Sequence, residues 1–119
     1  MRAASVFVIA LAAMTALSGA AEAKMERAYI GTFTAPPGRP AQPGNRAAGI
    51  YVTELDTVTG KLTTPRLVAK TASPSWLVYD KARGILYATN EYDGFNDPKA
   101  GARSGGISAY RVDKSSGDL

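Results

Sequence analysis

Gly49 to Leu62 reads GIYVTELDTVTGKL, and Gly106 to Leu119 reads GISAYRVDKSSGDL. The two stretches agree at Gly, Ile, a Leu/Val position, Asp, a Thr/Ser position, Gly and Leu, and Gly106 follows Gly49 by 57 residues. Upstream of each copy stands a second pair of similar segments, YIGTFT from Tyr29 and YATNEY from Tyr87, so the repeated unit holds at least two strands. A strand-rich unit of this length is somewhat longer than the roughly 40 to 50 residues of common β-propeller blades and lies outside the helical repeats. The repeat therefore predicts propeller blades. Blades cannot bury their faces alone, and about three or more stacked repeats are needed for a stable array. With fewer than two units in 119 residues, the expectation is a fragment of a longer propeller, whose downstream blades are missing partners.

The first 23 residues have a different character. Arg2 provides a positive start, Ala3 to Leu17 is apolar apart from Ser5 and Thr15, and Ala21-Glu22-Ala23 forms a small-x-small site. The apolar run is shorter than the roughly 20 residues of a membrane span, and a cleavage motif follows it. The segment 1–23 is expected to be a helical signal peptide cut after Ala23, giving a periplasmic or secreted protein without a stable membrane anchor. With no cysteine in the chain, neither a lipid-modified anchor nor a disulfide can form. Stability must then come from packing, which favours a large core over a small stapled domain.

Residues 24–119 read as all-β. Ala28 to Phe33, Ile50 to Leu55, Arg66 to Lys70, Ser75 to Tyr79, Ile85 to Thr89 and Ile107 to Val112 are short segments rich in β-branched and aromatic residues. Runs such as Trp76-Leu77-Val78-Tyr79 are apolar on both faces, as strands sandwiched between neighbouring blades should be. Trp76 is accordingly expected to pack between blades. Three turns share a D-x-x-x-G plan, beginning at Asp56, Asp80 and Asp113 and ending at Gly60, Gly84 and Gly117. In each, Asp can accept from backbone ahead of it and Gly can take a positive φ at strand re-entry.

Two longer Pro/Gly-rich connections, Ala35 to Ala48 and Glu91 to Gly105, occupy equivalent places in the repeat. Antiparallel alternation puts both on one rim, together with Thr71 to Ser75, Asn90 and Glu91. Residues 28–70 supply the second, third and fourth strands of a blade without a first, so the ring is expected to close by pairing these strands with the last blade, borrowing its innermost strand from the C-terminus.

Five ordered motifs carry a family resemblance: YIGTFT at Tyr29, GIYVTELD with TGKL from Gly49, SPSWL at Ser73, LYATNE at Leu86 and GGISAYRVD at Gly105. Together they resemble the start of the seven-bladed propeller lactonases, a family that includes propeller-type 6-phosphogluconolactonases and carboxymuconate cyclases. The resemblance implies hydrolysis, or the reverse closure, of a small sugar or carboxylate lactone in a funnel at one end of the ring, with no cofactor. Such chemistry needs a general base for water and donors for the developing oxyanion. Glu91, at the end of an inner strand on the proposed rim, is the candidate catalytic base or substrate-positioning group; a loop cap is its plainer alternative. Arg39, Arg46, Lys99 and Arg103 are candidates for attracting an anionic substrate, or else solvated loop charge beside Asp93 and Asp97. The chain has no histidine, so the family's catalytic groups are expected mainly in later blades.

Other classes find no support. A net charge of +4 without a basic helix or aromatic-interleaved run argues against nucleic acid. There is no G-x-S-x-G serine, no cysteine nucleophile, no P-loop and no His/Cys cluster with metal spacing. A non-enzymatic propeller scaffold and a truncated inactive product remain as alternatives to the enzyme.

Overall fold

The computed structural model describes residues 22, 24–35, 40–92 and 105–119, and the expected signal helix lies outside them. Six strands follow one another in the chain: β1 (Met25–Ile30), β2 (Gly49–Asp56), β3 (Arg66–Lys70), β4 (Pro74–Asp80), β5 (Ile85–Asn90) and β6 (Gly106–Arg111). They form two three-stranded antiparallel sheets, β1-β2-β3 and β4-β5-β6. The repeat is visible in the register. Tyr29 lies opposite Val52, and its counterpart Tyr87 lies opposite Ala109, the counterpart of Val52.

The first strand differs from its sequence expectation. It begins three residues earlier, at Met25, and ends at Ile30 instead of Phe33. Met25 to Arg27 lie opposite Asp56 to Glu54, extending the ladder backwards. Beyond Ile30 the chain leaves the ladder: Thr32 Oγ1 donates to Gly49 O of β2, and Thr34 meets Ser73 in the link between β3 and β4. Thr34 N–H donates to Ser73 Oγ (3.3 Å), while Ser73 N–H donates to Thr34 Oγ1 (3.0 Å). Ser73 is buried and holds a φ of 38°, a conformation that L-residues seldom take without such support.

The sheets pack face to face. Ile50, Leu86, Ala88 and Val112 form the buried centre, with Tyr29, Val68, Leu77 and Tyr110 closing around it. Full burial of a side chain such as Ile50 or Leu86 contributes about 1.5–3 kcal/mol. Only one face of the second sheet is covered in this way. Trp76 (68% exposed), Val78, Tyr87 and Ile107 (73% exposed) lie on its other face. Trp76 therefore does not pack between the two described sheets and stands on the face of the second sheet turned away from the first. Strand alternation turns Leu77 toward the first sheet and Trp76 away from it.

All three D-x-x-x-G turns form as expected. In each the glycine N–H donates to the aspartate carbonyl at 2.8 Å, with φ of 72° at Gly60, 67° at Gly84 and 79° at Gly117. Asp56 Oδ1 accepts from Val58 and Thr59, Asp80 Oδ1 from Arg83, and Asp113 Oδ1 from Ser115 and Ser116. The last of these turns is also gripped by the first sheet. Arg27 donates to the carbonyls of Lys114 and Ser115, Arg66 donates to Ser116 O and pairs with Asp118, and Tyr29 Oη donates to Gly117 O. These turns occupy one rim, and the long connections with residues 71–73 occupy the other, as the strand alternation requires.

At Gly31 an added Cβ would lie 2.0 Å from the carbonyl oxygen of Pro74, a backbone atom that cannot swing aside. Gly31→Ala is expected to destabilise the chain by about 2–3 kcal/mol in urea unfolding; an unchanged midpoint would show that the sheets do not meet there. The Ser115 hydroxyl, followed by the Ser116 and Ser115 amides, holds the Asp113 carboxyl down at about 2. The depressed value means that this stabilisation is complete above the unfolded carboxylate range near pH 4 and is lost as pH falls through about 2. Asp113→Asn should flatten that part of an acid-unfolding curve, and an identical curve would remove Asp113 from the account.

Candidate functional site

The rim of long connections is organised by a buried asparagine. Asn90, at the end of β5, is fully buried, where an amide can remain only if its donors and acceptor are satisfied. Its Nδ2 donates to Thr71 Oγ1 (2.9 Å) and to Ala72 O (2.7 Å), and its Oδ1 accepts from Ser108 Oγ (2.7 Å). One side chain thus ties the link between β3 and β4 to β5 and β6. The next residue completes the arrangement, since Glu91 N–H donates to Ser73 O at 2.9 Å. Through Ser73 the same unit reaches Thr34 in the connection that follows β1.

Glu91 emerges from this anchored backbone with its side chain exposed. It borders an open cleft of about 640 Å³ whose walls are Ser75, Thr89, Asn90, Gly105, Gly106 and Ile107. Among the described residues no hydrogen bond or ion pair engages its carboxylate, and most of the loop that it would cap, residues 93–104, lies outside them. The hydroxyls of Ser75 and Thr89, 3.4 Å apart, add donors and acceptors to the same wall. A carboxylate on rigid backbone, beside hydroxyls and open to water, is suited to take a proton or orient a polar ligand.

The candidate cations are not gathered there. Arg46 is exposed in the connection between β1 and β2, on the same rim, but does not line the cleft. That connection is held by Asn45, whose Nδ2 donates to Phe33 O and whose Oδ1 accepts from Ala47 N–H. Arg39, Lys99 and Arg103, with Asp93 and Asp97, lie outside the described residues. A more enclosed cavity of about 350 Å³ sits toward the opposite rim, against Arg27, Tyr29, Tyr79 and Lys114. Its walls hold no carboxylate, so it offers no general base.

The structure reveals residues that the sequence reading passed over. Asn90 was placed on the rim without a role, and its adjacency to Glu91 in LYATNE was the available signal. Arg27 and Arg66 act across the seam between sheets, and nothing in their local sequence marks them.

The two-sheet repeat has a match among known proteins. A family profile described as Lactonase, 7-bladed beta-propeller, covers residues 27–119. The chain belongs to the seven-bladed β-propeller lactonase family. Within this lactonase family it is similar to the 6-phosphogluconolactonase of Bacillus subtilis (strain 168), at 35% identity over 91 residues. That alignment takes in 76% of this chain and 21% of the relative, so the chain spans about a fifth of the relative's length. No solved structure matches the chain.

Removing the amide of Asn90 would leave Ala72 O and the Ser108 hydroxyl without a buried partner. Asn90→Ala is expected to cost about 2–3 kcal/mol and to speed amide exchange at Glu91, which reports the link to Ser73. Unchanged exchange at Glu91 would mean that the asparagine does not hold the rim together.

Proposed function

We propose that these residues form the first part of an exported lactonase that hydrolyses a small sugar or carboxylate lactone at the long-loop rim. Glu91 is its general base or substrate-positioning group. The observation that carries the reading is an exposed carboxylate, unengaged among the described residues, on anchored backbone in a rim cleft of a lactonase-family propeller. The similar 6-phosphogluconolactonase supports a lactone as substrate.

In the reaction a carboxylate takes a proton from water as the water oxygen adds to the lactone carbonyl carbon. Donors around the funnel stabilise the resulting oxyanion. Collapse breaks the ring C–O bond, and the departing alkoxide receives a proton, so one lactone and one water yield one hydroxy acid. Glu91 supplies one of these functions, and the described residues around it supply no paired cation. Later blades are needed for the remainder.

Arg39, Arg46 and Arg103 serve in this reading as rim charges that draw in an anionic substrate. Export, argued from the apolar leader, favours an unphosphorylated lactone, because phosphorylated sugars are held mainly in the cytoplasm.

In the complete protein Glu91→Gln is expected to lower kcat/KM by about 10²–10⁴-fold. Thermal stability should be unchanged, since the side chain is exposed and bonds none of the described residues. The 119-residue chain alone should turn over lactone only at background. Full activity in the Gln variant would remove Glu91 from the chemistry, and activity of the short chain would refute the need for later blades. The same preparation reads out export, because cleavage after Ala23 leaves Lys24 as the first residue.

A further inference from the structure

The repeat lets each unit serve as a control for the other. Tyr29 lies opposite Val52 as Tyr87 lies opposite Ala109, so Gly31, Thr32 and Phe33 of the first unit correspond to Thr89, Asn90 and Glu91 of the second. The middle position does the same work in both. Thr32 Oγ1 donates to Gly49 O (2.7 Å) and Asn90 Oδ1 accepts from Ser108 Oγ (2.7 Å), so each fastens its segment to the neighbouring strand. The flanking positions differ in chemistry. Where the first unit has a glycine and a phenylalanine, the second has a hydroxyl and a carboxylate, both on exposed residues. The first unit is thus built without polar side chains at these two places, and Thr89 and Glu91 are additions of the second.

A local irregularity brings a second hydroxyl to Thr89. Pro74 lies opposite Asn90 and Trp76 opposite Thr89, so Ser75 is an extra residue in β4, a β-bulge. Regular alternation would turn Ser75 to the face away from Trp76 and Thr89. With the bulge, its Oγ stands 3.4 Å from Thr89 Oγ1. Both hydroxyls line the cleft of about 640 Å³ that Glu91 borders, with Ile107 as an apolar wall. At that separation the bond between them is weak, and each hydroxyl keeps capacity to donate to and accept from a ligand oxygen. None of the described walls is a cation, so the cleft offers a ligand hydrogen bonds and not a positive charge.

We propose that Ser75 and Thr89 are specificity-determining residues of the Glu91 cleft, their hydroxyls binding neighbouring hydroxyl groups on the lactone ring. The proposal rests on the reading of this cleft as the place of lactone hydrolysis. It selects a polyhydroxylated lactone over a carboxylate-bearing one. A ring hydroxyl donates to one side-chain oxygen and accepts from the other, whereas a ring carboxylate would stand beside Glu91 with no described cation in the walls to offset the repulsion. A site that hydrogen-bonds substrate hydroxyls rejects the analogue lacking them, less strongly in an open cleft than in a buried one.

The complete protein tests this with D-glucono-δ-lactone and δ-valerolactone, the same ring without hydroxyls, each rate taken above spontaneous hydrolysis. The unaltered protein should prefer the hydroxylated ring. The double variant Ser75→Ala, Thr89→Val should raise KM for gluconolactone about tenfold with kcat held, and should leave hydrolysis of δ-valerolactone unchanged. Thr89→Ser by itself keeps the hydroxyl and should keep the KM. Equal losses on both lactones would mark a merely structural role and overturn the proposal. An unchanged KM in the double variant, or no preference in the unaltered protein, would overturn it too. Glu91→Gln reads the chemistry separately. If that variant is fully active while the double variant loses the preference, the reading of Glu91 fails and the hydroxyl pair stands. If it loses kcat while the double variant keeps the preference, the pair fails and the base stands.

Discussion

The two sheets depend on a contact between backbones. At Gly31 the chain leaving β1 passes so close to the Pro74 carbonyl that no side chain fits between them. The hydrogen bonds exchanged by Thr34 and Ser73 hold the crossing, and Ser73 takes a positive φ to make them. Because Ser73 O also accepts from Glu91, this crossing connects the alignment of the sheets to the placement of the candidate base. At the opposite rim Arg27, Arg66 and Tyr29 bind the carbonyls of the turn after β6. The seam is therefore tied at both ends, with Ile50, Leu86 and Ala88 packed between.

The division of labour between rims follows from this arrangement. One rim consists of tight turns in which each aspartate caps its own backbone, leaving short connections with little freedom. The other holds the long connections, whose described residues are fastened by Asn45, Asn90 and Ser73. A rigid scaffold with long connections at one end is the usual setting for a binding or catalytic site. Glu91 fits that setting because its backbone belongs to the anchored part and its side chain to the open part.

Much of the fold was legible from spacing. Strands β2 to β6 fall within a residue or so of where β-branched and aromatic runs place them, and the D-x-x-x-G turns form with the expected glycine conformations. The misplacement of β1 has a definite cause. YIGTFT looks like one strand because its residues favour extended backbone, but after Ile30 the chain leaves the ladder, with Phe33 O taken by Asn45 and Thr34 N–H by Ser73 in the link between β3 and β4. Trp76 lies on the face of the second sheet turned away from the first. An apolar run shows that both faces can be buried, and only the position of a neighbouring sheet decides which face is covered here.

The sequence by itself determined the all-β class, the two-fold repeat, the shared rim of the long connections and the family, because these rest on local periodicity, turn chemistry and ordered motifs. Tertiary structure alone decided that Asn90 is a satisfied buried clamp, that Arg27 and Arg66 cross the seam, and that the Glu91 carboxylate is left unengaged among the described residues. Those properties depend on which atoms distant segments bring together. Thr34 and Ser73 are 39 residues apart, and Arg27 and Lys114 are 87 apart. Residue type and spacing along the chain do not encode such distances until the sheets have packed.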